Sequence, residues 1–412
     1  MSTHPSRPSY AAVLRLPHAR RTFAAALLAR LSYGTVSLSV LLAVTRSTGS
    51  YAVSGTVLAL FGAATVFLTP LRAALVDRYG ARRALLPMTS LHGALLCALA
   101  ALTRQPGASP LVLGTAAALA GACAPPLGPT MRTVWARIAD DPGLLRRAYS
   151  LDGVAEELIF VSGPALVGVL VPVTSPAAAV LLSALLNVLG TCAFVSSPVL
   201  PGPCRPVPRQ DGSRRRPPVG RGLFCPVVVA AGMGLALSGV DLLVMAFATQ
   251  RSYDTAVVPW ILAALSAGSA VGGMLNGAID WRTPARARLA RFAAGLGLVL
   301  AVTGLAPGLW SLTAAVACAG LFVAPALTTA YLLADETADP GARTRAGAWV
   351  NMAVNAGSSA GAAVTGLLIG RLPLVWCFAA AGAVALATAA VAALAAAGGS
   401  VAEATADGQL AA

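Results

Sequence analysis

Apolar stretches of about twenty residues, each long enough to cross a hydrocarbon core as a helix, recur along the whole chain. A first set predicts spans at 23–44, 52–76, 84–103, 111–131, 151–171 and 177–195, and a second at 223–249, 257–278, 289–305, 309–334, 346–370 and 374–397. The segment between the sets is rich in Pro and Arg, with Arg214, Arg215 and Arg216 consecutive, and reads as an unstructured connector. The pattern predicts an all-α integral membrane protein of about twelve transmembrane helices. Its expected order is a tail (1–22), a six-helix bundle (23–195), the connector (196–222), a second six-helix bundle (223–397) and a tail (398–412).

Composition sharpens that expectation. Of 412 residues, 57% are hydrophobic and only 11% charged, whereas soluble domains carry roughly a quarter charged residues. The bilayer must therefore act as solvent, and abundant Gly and Ala suit helices that approach closely within it. The formal net charge of +14 would point to a polyanion partner in a soluble chain; in this one it points to membrane orientation, and no nucleic acid is expected. Every basic residue is Arg. Without Lys there is no P-loop, so no ATPase on this chain supplies energy. The seven cysteines (Cys97, Cys123, Cys192, Cys204, Cys225, Cys318 and Cys377) are scattered without metal-ligand spacing. No metal site and no cofactor are expected. The N-terminal tail leads into Phe23 without a small-residue cleavage site, so the first apolar run is expected to be retained.

Orientation follows from arginines in alternate loops. One side collects Arg7, Arg15, Arg20, Arg21, Arg72, Arg78, Arg82, Arg83, Arg132, Arg137, Arg146 and Arg147. The connector arginines, then Arg282, Arg286, Arg288, Arg291, Arg343 and Arg345, join that side, while the other holds Arg46, Arg104, Arg251 and Arg371. Both termini are thus expected in the cytoplasm, in a cytoplasmic (inner) membrane. An internal repeat supports two related halves: Asp141-Pro142-Gly143 recurs as Asp339-Pro340-Gly341. The same offset aligns Arg147 with Arg345, Gly163 with Gly361 and Gly168 with Gly366.

The loop after the second predicted span carries Ala73, Asp77, Arg78, Gly80, Arg82 and Arg83. It resembles the G-x-x-x-D-R-x-G-R-R signature of the major facilitator superfamily. Asp77, Arg78, Gly80 and Arg82 match, and Ala73 replaces the first Gly. Gly80 permits a tight turn. Asp77 can sit at a helix N-terminus or pair with an Arg, latching one face in one conformational state. In the fifth span, Gly153, Gly163, Pro164 and Gly168 resemble the antiporter motif of drug/proton exporters in that superfamily, although Gly168 stands alone where the motif pairs glycines. The resemblance implies two six-helix halves rocking about a midplane site.

Ionisable groups inside spans cost about 2.5–3.5 kcal/mol at mid-membrane and so need a reason. Arg30 in the first span and Glu156 and Glu157 in the fifth lie at similar depth, on helices the resemblance makes neighbours. An Arg30–Glu pair is expected, either holding a titrating proton site or fixing helix register. Asp152 reads as a cap or interface group. Asp241 is the only acid within the seventh span, either a proton or cation site or a hydrogen-bonded structural acid. Asn351 and Asn355 share a helix face and are expected to bond between helices. His92 reads as a packing residue, and Trp135, Trp260 and Trp310 as interfacial anchors.

These features predict a secondary active transporter, not an enzyme. Its expected work is proton-coupled efflux of a small amphipathic drug or secondary metabolite by a bacterial antiporter, with lipid bilayer, small-molecule substrate and protons as partners and a monomer as the working unit. The alternative is uptake of a metabolite by proton symport. A membrane-embedded transferase on lipid-linked substrates would need converging acids or bases, for which only Asp140-Asp141 and Asp335-Glu336 are available. A non-transporting scaffold or sensor would show no substrate flux at all.

Overall fold

The computed structural model describes residues 9–200, 202, 219–254, 257–339, 341–369 and 371–410. Arg7 and the connector arginines Arg205, Arg209, Arg214, Arg215 and Arg216 lie outside the described residues.

Helices account for nearly all of the chain. In order they are α1 (Tyr10–Arg15), α2 (Ala19–Thr48), α3 (Tyr51–Phe67), α4 (Thr69–Tyr79), α5 (Ala81–Leu102), α6 (Pro110–Cys123), α7 (Leu127–Ile138) and α8 (Pro142–Val173). There follow α9 (Pro176–Val195), α10 (Val219–Gln250), α11 (Val258–Ala278), α12 (Ala285–Thr303), α13 (Leu309–Thr337), α14 (Arg343–Leu368) and α15 (Leu374–Leu410). Among the described residues nine helices are long and apolar enough to cross a membrane, and α3 with α4, bent by 43° at Leu68, makes ten. The other two expected spans form helices too, but α12 carries Arg286, Arg288 and Arg291, and α14 is diluted by Asn351, Asn355, Ser358 and Ser359. Twelve crossings remain compatible with this architecture.

The chain divides into two compact units. One comprises Met1–Ala148, Ala155–Arg209 and Pro340–Ala348; the other comprises Tyr149–Val154, Gln210–Asp339 and Trp349–Ala412. In the first unit α2 packs on α9, α3 on α6, and α5 on both α6 and α9. Val36, Val40, Leu96, Leu99, Leu113 and Val180 meet there in one apolar core. In the second, α11 lies along α13 and α12 along α15.

Close backbone approach replaces bulky interdigitation at several crossings, as expected where lipid is as apolar as leucine. A Cβ on Gly268, Gly272 or Gly320 would stand 2.1, 2.0 or 2.2 Å from a carbonyl oxygen of the facing helix in the α11–α13 pair. The sequence repeat has the same meaning in both units. Gly163 of α8 abuts Gly34 of α2, where its Cβ would lie 2.4 Å from the Gly34 carbonyl carbon. Gly361 of α14 abuts α10, with a Cβ 2.2 Å from the Leu235 oxygen. Gly168 and Gly366, also aligned by the repeat, have nothing within 4 Å of a Cβ.

Ala at each of these four positions gains similar helix propensity, so differences among them report contact alone. Gly163→Ala and Gly361→Ala are expected to lower the thermal unfolding midpoint in detergent, each losing about 1–3 kcal/mol by overpacking against backbone. Gly168→Ala and Gly366→Ala should match or exceed the parent. Equal midpoints for all four variants would refute the contact assignment.

Candidate functional site

The densest polar cluster of the first unit forms where the fourth predicted span is broken. Pro125 and Pro126 end α6, and α7 restarts at Leu127. A proline has no N–H, so the carbonyl four residues upstream loses its helical partner. Gly121 O loses its i+4 donor to Pro125 and accepts from Ala124 N at 3.3 Å, and Pro125 O loses its own to Pro129 and accepts from Leu127 N at 2.9 Å. Neighbouring helices add donors at the break: the Tyr33 hydroxyl of α2 donates to Pro125 O, and Arg30 of α2 donates from Nη2 to Gly128 O at 3.2 Å. His92 of α5, 1% exposed, sets Nδ1 2.7 Å from Ala120 O, a polar role beyond the packing expected of it. Arg72 of α4 also turns inward to this break. It was expected among solvated loop arginines, but it is 4% exposed.

Just beyond the break, Arg132 of α7 reaches Glu156 of α8 at 2.7 Å, the arginine 7% and the glutamate 29% exposed at the side chain. The sequence puts Arg132 in a loop, whereas the structure pairs it with Glu156. The Arg30 and Arg132 guanidinium groups are neighbours. A Cβ on Gly128 would lie 3.6 Å from Arg132 Nη1 and 3.8 Å from Arg30 Nη2. Glu157 is half-buried and Asp152 fully buried on the same helix. Asp152 lies ten residues inside α8 and is no cap; the α8 cap is Asp141, which accepts from Leu144 N at 2.8 Å.

At the signature loop, Gly80 joins α4 to α5 with φ +83°, a left-handed value that disfavours a side chain. Asp77 accepts a hydrogen bond from the backbone N of Arg345 at 3.0 Å and bonds Thr344. A carboxylate thus caps the first turn of α14, where the orphan N–H groups and the positive dipole end favour an anion. Arg78 stacks over Tyr79, 5.2 Å from the ring centroid. Arg82 donates to Val195 O at the end of α9, 3.2 Å away, a cation at a helix C-terminus.

The remaining candidates separate sharply by environment. Pro164 sits inside α8, which continues unbroken past it. Gly153 meets only Thr328 Oγ1, at 3.9 Å. Asp241 of α10 is exposed and has no hydrogen-bond or ion-pair partner among the described residues, against the reading of a hydrogen-bonded structural acid. Asn355 donates from Nδ2 to Asn351 O at 2.8 Å and to Asn351 Oδ1 at 3.3 Å. Those bonds run along α14, not between helices as expected, because i and i+4 on one helix meet first. Trp260 and Trp310 are 78% and 86% exposed, whereas Trp135 is fully buried, its ring edge-on to Phe23 at 5.3 Å. Trp135 is core, not an interfacial anchor.

Comparison with known proteins agrees with this architecture. No protein of curated function matches the sequence significantly. Among solved structures, the human organic anion transporter MFSD10 superposes with TM-score 0.70 at 15% identity, covering 91% of this chain and 100% of that one. A bacterial homologue of the iron transporter ferroportin, in an outward-facing state, gives 0.70 at 16%, covering 92% and 98%. The Escherichia coli fucose:proton symporter gives 0.63 at 13%, covering 89% and 98%. At such identities the likeness is one of fold. The sequence pattern of the Major Facilitator Superfamily, however, matches residues 22–302, more than half of the chain. This multi-pass membrane protein, with its signature loop capping α14 and its interior arginines, belongs to the major facilitator superfamily and is a secondary transporter, not an enzyme.

Proposed function

We propose that the protein exports a small, amphipathic, cationic drug or secondary metabolite in exchange for protons, by alternating access. Asp241 carries this reading. An exposed carboxylate without a partner among the described residues, set within an apolar helix, is expensive to keep in a membrane and marks a substrate or proton path. It supplies the negative charge that a cation or a proton would occupy in turn. Glu156 is the second candidate acid, tied to Arg132 and poised to exchange that ion pair for a proton. Asp77 acts as a conformational latch: its bond to the first turn of α14 holds one state and breaks in the other. The working unit is a monomer in a bacterial inner membrane, with both termini cytoplasmic.

Proton-symport uptake is the second reading. It draws on the reduced glycine motif of α8, in which Gly168 stands in open space, and on the fucose:proton symporter among the structural neighbours.

In an efflux-deficient bacterial host, the parent protein is expected to lower accumulation of cationic dyes, and a protonophore should abolish the effect. Asp241→Asn should restore full accumulation at unchanged expression. Lowered accumulation that survives Asp241→Asn removes Asp241 from the path, and raised accumulation in the parent establishes uptake. The Glu156 assignment has its own discriminator. Arg132→Met alone leaves a charge unpaired and should cost about 3–5 kcal/mol of stability. Adding Glu156→Gln should restore folding but not transport, whereas a double variant that transports normally would make the pair purely structural. At the latch, Asn keeps an acceptor for the cap, so Asp77→Asn should retain most transport, and Asp77→Ala should lose roughly 1 kcal/mol of the capped state along with most of the transport rate. Equal transport by the two variants would exclude capping as the role of Asp77.

A further inference from the structure

A buried guanidinium needs its five N–H donors satisfied, and Arg72 achieves this without a carboxylate. Its Nε donates to Leu68 O at 3.3 Å. Nη1 donates to Gly121 O at 3.2 Å and to Ala124 O. Nη2 donates to Thr65 O and to Thr69 Oγ1, the latter at 2.7 Å. Four of the five acceptors are backbone carbonyls, and they come from two interrupted helices. Thr65 and Leu68 end α3 at its 43° bend into α4, while Gly121 and Ala124 end α6 at the Pro125 break. The helical bond to Gly121 O is missing because Pro125 has no N–H. The Ala124 carbonyl would bond Gly128 N in a continuous helix, but the chain turns away at Pro125 and Pro126.

Ends of broken helices, with carbonyls turned inward, are where transporters coordinate monovalent cations. The carbonyls here converge on a planar fork of donors. We propose that the junction of α3–α4 with α6–α7 is a cation-binding site for a guanidinium-type ion, and that the Arg72 side chain is its tethered occupant. The site does not depend on the transport reading above. Its mechanical consequence is that one cation holds both interrupted helices in register. The direction of α7 after the break, and with it the approach of Arg132 to Glu156, depends on the site being filled. Lysine fills it poorly: an ammonium has three donors on a point charge and cannot serve five oxygens spread around a plane.

Chemical complementation tests this on purified protein, by thermal unfolding and without any transport assay. Arg72→Ala is expected to unfold well below the parent. Millimolar guanidinium chloride should restore at least half of the loss, sodium and potassium chloride at equal concentration should not, and the parent should respond alike to all three salts. A second variant removes the cause of the site rather than its occupant. Pro125→Ala returns an N–H to Gly121 O, so the penalty for Arg72→Ala in that background should fall to less than half. Should Arg72→Ala be too unstable to purify, Arg72→Lys takes its place, with an intermediate loss that Pro125→Ala again reduces. A loss unaffected by guanidinium and identical in both backgrounds would overturn the proposal, as would an Arg72→Ala protein as stable as the parent.

Discussion

A backbone carbonyl inside a membrane protein has no water to turn to, and each one that loses its helical donor to a proline must find another. That constraint organises the first unit. The break at Pro125 and Pro126 draws Tyr33 and Arg30 from α2, Arg72 from α4 and His92 from α5 toward α6 and α7. Five helices that apolar packing alone would let slide are fixed in register by directional bonds. The same bonds keep buried cations beside the Arg132–Glu156 pair.

The two candidate acids occupy opposite environments. Glu156 is neutralised by a guanidinium at 2.7 Å, whereas Asp241 stands exposed and without a partner among the described residues. A carboxylate already in an ion pair must surrender that partner to accept anything else. An open one is ready to bind. The division falls between the two halves of the repeat.

Much of this was legible in the sequence. Hydrophobic runs mark helices because lipid tolerates little else, and the spacing of Asp77 and Gly80 marks a loop in which the structure has a capped turn and a positive φ. Gly163 and Gly361 were paired by a repeat and turned out to share one packing role. What escaped was the fate of arginines near span ends. Arg72, Arg132, Arg146, Arg147 and Arg288 were counted as solvated loop residues, and all are buried. A linear reading treats a charge beside an apolar run as facing water, since nothing in one segment reveals the carbonyls another segment will present. The double proline at Pro125 and Pro126 was the available signal, because it announces stranded acceptors even if it does not name their donors. Trp135 failed for the same reason: its depth depends on Phe23, which is distant in sequence.

The acceptors of Arg72 also do not arrive together. Thr65, Leu68 and Thr69 leave the ribosome with Arg72 itself, but Gly121 and Ala124 follow 49 and 52 residues later. At about 5–20 residues per second this is a delay of roughly 2–10 s. During it, a permanently charged side chain waits half-served, its stem along the helix and its head toward the aqueous edge. Arginine cannot shed its proton to ease the wait. The bent α3–α4 span can therefore settle to full depth only after α6 has been made, so assembly of this half runs on a clock set by the length of chain between a cation and its carbonyls.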